Sequence, residues 1–142
     1  MFFGPVAAVG GLIVNPAGEL LLVKRARDPG KGKWGLPGGF VDRGETVEEG
    51  LIREVVEETT LQVTSLRLLV TFPNKYDYRG VVSPVIDLFY LCEVDPAAEI
   101  KLAPDELESF VWTVPGNEHL DNMAFPSNRR AIEHWLKSTS PS

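Results

Sequence analysis

The chain reads as an α/β domain. β-branched and aliphatic runs alternate with two stretches of helical periodicity, and clusters rich in Gly, Pro and Asn separate them. Length and composition agree, because 142 residues with 44% apolar content can bury one core and leave little room for a second. Residues 1–142 are therefore expected to form one domain, with Ser138 to Ser142 as a loose tail.

Each element has its own signal. Val6 to Val14 and Leu20 to Lys24 are apolar runs divided by the turn cluster Asn15-Pro16-Ala17-Gly18, which predicts a strand, turn, strand unit. A loop rich in Gly, Lys and Arg follows from Arg25 to Gly35, and then Leu36-Pro37-Gly38-Gly39 makes a tight turn. Thr46 to Thr59 predicts a helix: Thr46-Val47-Glu48-Glu49 fits a capping box, and Leu51, Ile52, Val55 and Val56 form an apolar stripe. Strands are expected at Gln62 to Phe72 and Pro84 to Val94, joined by a loop from Pro73 to Gly80. Phe110 to Val114 reads as one more strand and Ser127 to Lys137 as a closing helix.

The helix over 46–59 carries chemistry on its other face. Glu54, Glu57 and Glu58 stand at i, i+3 and i+4, within one arc of about 100°. Three like charges at that spacing repel, and the repulsion grows as water is lost unless a cation neutralises them. Oxygen ligands without Cys or His favour Mg²⁺, with Mn²⁺ as a substitute, and argue against zinc. The plainer reading of acidic residues on a helix is a solvated face. The Gly-Gly turn just before the helix shifts the balance, because it can bring a backbone carbonyl to the same ion.

The segment Gly39 to Leu61 resembles the Nudix box, G-x5-E-x7-R-E-U-x-E-E-x-G-U with U aliphatic, matching at Gly39, Glu45, Arg53, Glu54, Val55, Glu57, Glu58 and Leu61. Thr60 stands where the family has glycine, and a β-branched residue there is strained if the position needs positive φ. The resemblance implies a mixed β-sheet sandwiched between helices. It further implies a divalent-metal-dependent hydrolase of diphosphate linkages in nucleoside diphosphate derivatives, with water attacking phosphorus. The ligands it implies are Glu54, Glu57, Glu58 and the Gly39 carbonyl. Glu45 becomes a supporting or water-mediated ligand, or simply a favourable charge near a helix N-terminus. Arg53 would orient a glutamate or meet a phosphate, or form a salt bridge to Glu49 or Glu57. Related enzymes take their general base from a box glutamate or from an acid in a later loop, which here makes Glu118 and Asp121 candidates.

Substrate signals are thinner. Arg25, Arg27 and Lys33, with Lys24 and Lys31, form a basic patch suited to a phosphate or to ordinary surface charge. Tyr76 and Tyr78 offer rings that could stack on a base or simply cover the hairpin, and Asn128 could read a base or begin the last helix. Within the resemblance, Pro73 points loosely to ADP-ribose hydrolases. The tyrosine spacing points to dinucleoside polyphosphate hydrolases, and Phe125 to Asn128 to oxidised-nucleotide enzymes. The SQPWPFP pattern of NADH pyrophosphatases is missing. An ADP-ribose-like substrate is the reading adopted, with a non-catalytic nucleotide sensor as the alternative of another class.

Charge and cysteine content narrow the setting. A net charge of −6 argues against a nucleic-acid-coating role, which needs a broad basic surface. The lone Cys92 cannot form an intramolecular disulfide, so a reducing cytoplasm is expected. The apolar run Met1 to Val14 lacks a basic start and a span of about twenty residues, so it reads as a strand and no membrane partner is expected. The expected partner is a small-molecule nucleotide, with a homodimer left open.

Overall fold

The computed structural model describes residues 6–78 and 80–139, Tyr78 by its backbone alone. In chain order the elements are β1 (Val6–Ile13), β2 (Leu20–Arg25), β3 (Trp34–Gly35), β4 (Gly38–Phe40), α1 (Val47–Thr59), β5 (Val63–Tyr78), β6 (Val81–Val94), β7 (Leu107–Thr113), α2 (Asn117–Leu120) and α3 (Pro126–Thr139). A four-stranded sheet runs β4-β1-β6-β5 and a three-stranded sheet runs β3-β2-β7. In the larger sheet β1 and β6 pair in parallel while β1–β4 and β5–β6 pair antiparallel, so that sheet is mixed, as expected.

Strand alternation divides the core in two. Val9 and Ile13 of β1, Leu21 and Val23 of β2, and Tyr90 and Cys92 of β6 pack with Leu51 and Val55 of α1. Their neighbours Leu12, Leu20, Leu22 and Phe89 point the other way and pack with Ala131, Ile132 and Trp135 of α3. Strands covered on both faces must be apolar at every position, which is why β1 and β2 read as continuous apolar runs. The α1 stripe is as expected, with Leu51 and Val55 fully buried and Ile52 and Val56 at its half-buried margin. Its capping box forms in both directions: Glu49 N–H donates to Thr46 Oγ1 at 3.1 Å and Thr46 N–H to Glu49 Oε1 at 2.8 Å.

The largest departure is at 73–80, expected as a loop. β5 and β6 instead stay paired through Tyr78↔Val81, so the segment is a long hairpin arm. Pro73 and Pro84 disguised it, since proline in a run argues against a strand interior; Pro73 sits on the edge strand, where a missing N–H costs least. The turn cluster at 15–18 does reverse the chain, but β1 and β2 enter different sheets, joined by a single bridge at Val14↔Leu20. β3, β4 and α2 are too short to show periodicity in the sequence. α3 continues through Ser138 and Thr139, where a tail was expected, because both hydroxyls donate to the Trp135 carbonyl. The remainder of that tail, 140–142, and the first five residues lie outside the described residues.

Thr60 caps α1 with φ 65°, the only described non-glycine residue at positive φ, and its N–H bonds the Val56 carbonyl at 2.9 Å. The family glycine position thus keeps a left-handed backbone that a β-branched side chain adopts only under strain. Thr60→Gly is expected to raise stability by up to about 1 kcal/mol, read as a higher melting temperature. A clear fall would mean that the Thr60 hydroxyl, bonded to the Thr59 carbonyl at 2.6 Å, outweighs the strain.

Candidate active site

Two glycines fix the entrance to the site by what they lack. A Cβ on Gly38 would lie 2.0 Å from the Val9 carbonyl oxygen, and a Cβ on Gly39 would lie 2.7 Å from the Glu54 carboxylate. Only bare backbone lets β4 lie against β1 on one side and Glu54 on the other. The turn therefore sits at the glutamate face of α1.

Arg53 ties this loop to the helix. Its Nε and Nη2 donate to both oxygens of Glu45, at 3.1 and 2.8 Å, as a bidentate pair. Nη2 also donates to the Phe40 carbonyl at 3.1 Å and lies 3.4 Å from Asp42. Nη1 meets Glu54 at 3.1 Å and Glu57 at 3.2 Å. Glu45 holds Arg53 and accepts from the Asp42 N–H at 2.7 Å, an arrangement that pulls its proton affinity below the usual carboxylate range, the Arg53 hydrogen bond being the largest cause. The helix salt bridge to Glu57 that the sequence also offered is present, while Glu49 is engaged in the cap instead.

The three helix glutamates differ sharply in environment. Glu57 is exposed, its side chain at 56%, and leans on Arg53. Glu54 is mostly covered, and burial raises its proton affinity despite the Arg53 contact. Glu58 is 8% exposed, and its Oε2 accepts from the Gly38 N–H at 3.1 Å. Burial first, then the Glu54 charge, push Glu58 up to about 8. Among the described residues no three Asp, Glu, His or Cys side chains already converge as a ligand set, since Glu54 and Glu57 turn toward Arg53. Even so, the donors suit a hard divalent cation: buried carboxylates that repel one another lack an ion-pair partner at Glu58 and lie beside bare backbone at Gly39.

No sequence signal singles out Glu106, yet its charge raises the proton affinity of both Glu54 and Glu58. The loop carrying it is pinned to the end of α1 by Lys101 N–H to the Thr59 carbonyl and Ala103 N–H to the Glu58 carbonyl, both 3.0 Å. In sequence it was one acid in an acidic stretch, and no spacing rule distinguishes it. Arg27 pairs with Glu106 at 3.2 Å, and the Arg25 charge favours ionised Glu58, so two members of the basic patch do border the glutamates. Lys33 is exposed on the adjoining loop. Glu118 and Asp121 belong to another neighbourhood: Glu118 lies 3.6 Å from His119, and Asp121 pairs with Arg129 at 3.2 Å. Asn128 is half-buried, its amide facing Gly35.

Tyr76 stands edge-on to Phe40, with ring centroids 5.4 Å apart. The two border an apolar cleft of about 360 Å³ completed by Val6, Ser83 and Val85. Phe40 directly follows Gly39, so this cleft adjoins the glutamate site across the edge strand β4. The Tyr78 side chain lies outside the described residues.

The state of Glu58 has a measurable consequence. Between about pH 4.5, the ordinary carboxylate value, and about pH 8, the unfolded chain has lost this proton while the folded chain keeps it. Folding therefore becomes less favourable as pH rises through that window. Metal-free protein is expected to melt at progressively lower temperature from pH 5 to pH 8, and Glu58→Gln should flatten that decline. Parallel melting curves of the two proteins in chelator check it.

Comparison with known proteins agrees with this geometry. The family model described as NUDIX domain matches residues 4–135. An ADP-ribose pyrophosphatase of Methanocaldococcus jannaschii is 40% identical over 139 residues, covering 96% of this chain and 76% of that one. Several further relatives are longer, this chain spanning less than two thirds of their length. The crystal structure of a MutT NUDIX hydrolase from Burkholderia pseudomallei superposes with TM-score 0.73 at 31% identity, covering 93% of this chain and 98% of that one. The NUDIX domain of Shewanella oneidensis NrtR, complexed with ADP ribose, shares the fold with TM-score 0.76 at 22% identity, covering 98% and 91%. A family match across nearly the whole chain, on a fold that presents the box residues together, means that this chain belongs to the Nudix hydrolase family and is a Nudix-type pyrophosphohydrolase.

Proposed function

We propose that this protein cleaves the diphosphate linkage of an ADP-ribose-like nucleotide, with Mg²⁺, or Mn²⁺ in its place, held by Glu54, Glu57, Glu58 and the Gly39 carbonyl. The observation that carries this reading is Glu58, a carboxylate buried beside Glu54 without a cationic partner at ion-pair distance among the described residues. A divalent cation there would withdraw charge from the diphosphate oxygens and make water a better nucleophile.

The protein's own residues supply the rest. Arg53 holds Glu54 and Glu57 in one array, and the exposed Glu57 is free to swing from the guanidinium toward a ligand. Glu106, steadied by Arg27 and close enough to bias Glu54 and Glu58, is the acid we assign to accept the proton from attacking water, ahead of Glu118 and Asp121. Arg25, whose charge already reaches Glu58, is placed to meet a phosphate. The Phe40–Tyr76 cleft would take the aromatic face of the base at one end of the substrate. This cleft and the likeness to an ADP-ribose pyrophosphatase support the choice of organic group.

Glu57→Gln is expected to lower turnover of ADP-ribose by about two orders of magnitude at limiting Mg²⁺ while leaving the melting temperature near that of wild type, because the side chain is exposed. Wild-type turnover in this variant would remove Glu57 from the ligand set. Tyr76→Ala should instead raise KM about tenfold with kcat little changed, since stacking acts equally on ground and transition states. Steady-state kinetics separate the two signatures, and an unchanged KM would take the cleft out of the binding site.

A further inference from the structure

Asp87 is a buried carboxylate that the hydrolytic chemistry leaves unused. It is 6% exposed, and no ion pair joins it among the described residues. Its hydrogen-bond partner is a neutral amide: Asn74 Nδ2 donates to Oδ2 at 2.8 Å. A buried carboxyl needs its polar partners satisfied, and an apolar residue would fill the same place in a sheet without that demand.

Its position on the sheet suggests a use. Val85 lines the cleft, and Asp87 stands two residues further along β6, on the same face about 7 Å away. Its register partner on β1 is Ala8, which is itself opposite Phe40. Asn74 pairs with Val85, one step from Tyr76 opposite Ser83. The Asn74–Asp87 pair thus stands one same-face step along the sheet from Tyr76 and Val85, two of the residues that line the cleft, and among the described residues that lining is apolar or aromatic save for Ser83.

The hydrogen-bond pattern of the pair is defined. Asn74 Oδ1 accepts from the Lys75 N–H at 2.8 Å while Nδ2 serves Asp87, which fixes the amide orientation. An amide nitrogen carries two hydrogens, so one N–H of Asn74 is left to donate, and Asp87 Oδ1 is left to accept. An acceptor beside a donor complements an exocyclic amine beside a bare ring nitrogen, the edge of adenine or cytosine. The edge of hypoxanthine or uracil, a carbonyl beside a ring N–H, would place oxygen against the carboxylate.

We propose that Asp87 and Asn74 select the base, recognising an amine-bearing nucleobase seated between Phe40 and Tyr76. This inference rests on the diphosphate-hydrolase reading for its choice of substrate, but binding tests it separately. The experiment compares ADP-ribose with its hypoxanthine counterpart, inosine diphosphate ribose, by calorimetric titration without metal and by kcat/KM with Mg²⁺. Wild type should favour ADP-ribose by roughly tenfold or more in both measurements. In Asp87→Asn an amide N–H replaces the free acceptor, and the preference should vanish or invert in both binding and kcat/KM. Should Asp87→Asn melt early, Asn74→Ala on the exposed strand carries the same expectation of lost preference. A binding preference without turnover would sink the hydrolase reading and leave the base selection standing. Equal or absent binding of both ligands to wild type, or an unchanged ratio in folded variants, overturns the proposal.

Discussion

The site depends on one guanidinium. Arg53 projects from the middle of α1 and satisfies its donors on the loop before the helix and on its own helix at once. A lysine could not replace that geometry, because a point charge cannot hold Glu45 in a fork while also reaching the Phe40 carbonyl and Glu54. Without the tie, the glycine turn would have only the Gly38 N–H to Glu58 bond and its pairing with β1 to set its distance from the helix. Burial of Leu51 and Val55 anchors α1 from beneath, so the loop is drawn onto a helix that cannot move.

The acids then work because they are not alike. Identical residues at i, i+3 and i+4 meet three environments: Glu57 in solvent, Glu54 half under the turn, Glu58 beneath it. Desolvation makes the inner carboxylates reluctant to ionise, and it also makes their attraction for a cation stronger than in water. The same burial that weakens the empty fold at neutral pH favours occupancy. In the proposed reading, stability and function thus oppose one another at Glu58.

Much of this was legible in the sequence, and the limits have physical causes. The Nudix box residues could be read because helical spacing converts sequence distance directly into a shared face, and the capping box located the helix start at Thr46. The chain reversal at 15–18 and the strands on either side of it also followed from residue type. What failed was everything that depends on tertiary neighbours. Glu106 is brought to the glutamates by loop hydrogen bonds with no sequence signature. The hairpin at 73–78 was obscured because Pro73 is tolerated only in view of β5 being the edge strand. Phe40 gained its meaning from Tyr76, which is remote in sequence and adjacent only once β4 joins β1 and β5 joins β6.

β4 shows how a three-residue strand can serve both ends of a substrate. Successive residues of a strand face opposite ways, so Gly39 addresses Glu54 on the α1 side while Phe40 turns to Tyr76 on the other. Because β4 is the edge of its sheet, a ligand can pass around it and touch both faces without crossing a strand. In the proposed reading, diphosphate chemistry and base recognition fall on opposite faces of one strand, joined by a single peptide. The Phe40 carbonyl in that stretch is itself held by Arg53, so the tie that arranges the glutamates also sets the wall of the cleft. Substitutions in the cleft can retune the organic group without disturbing the acids. A change at Arg53 reaches both.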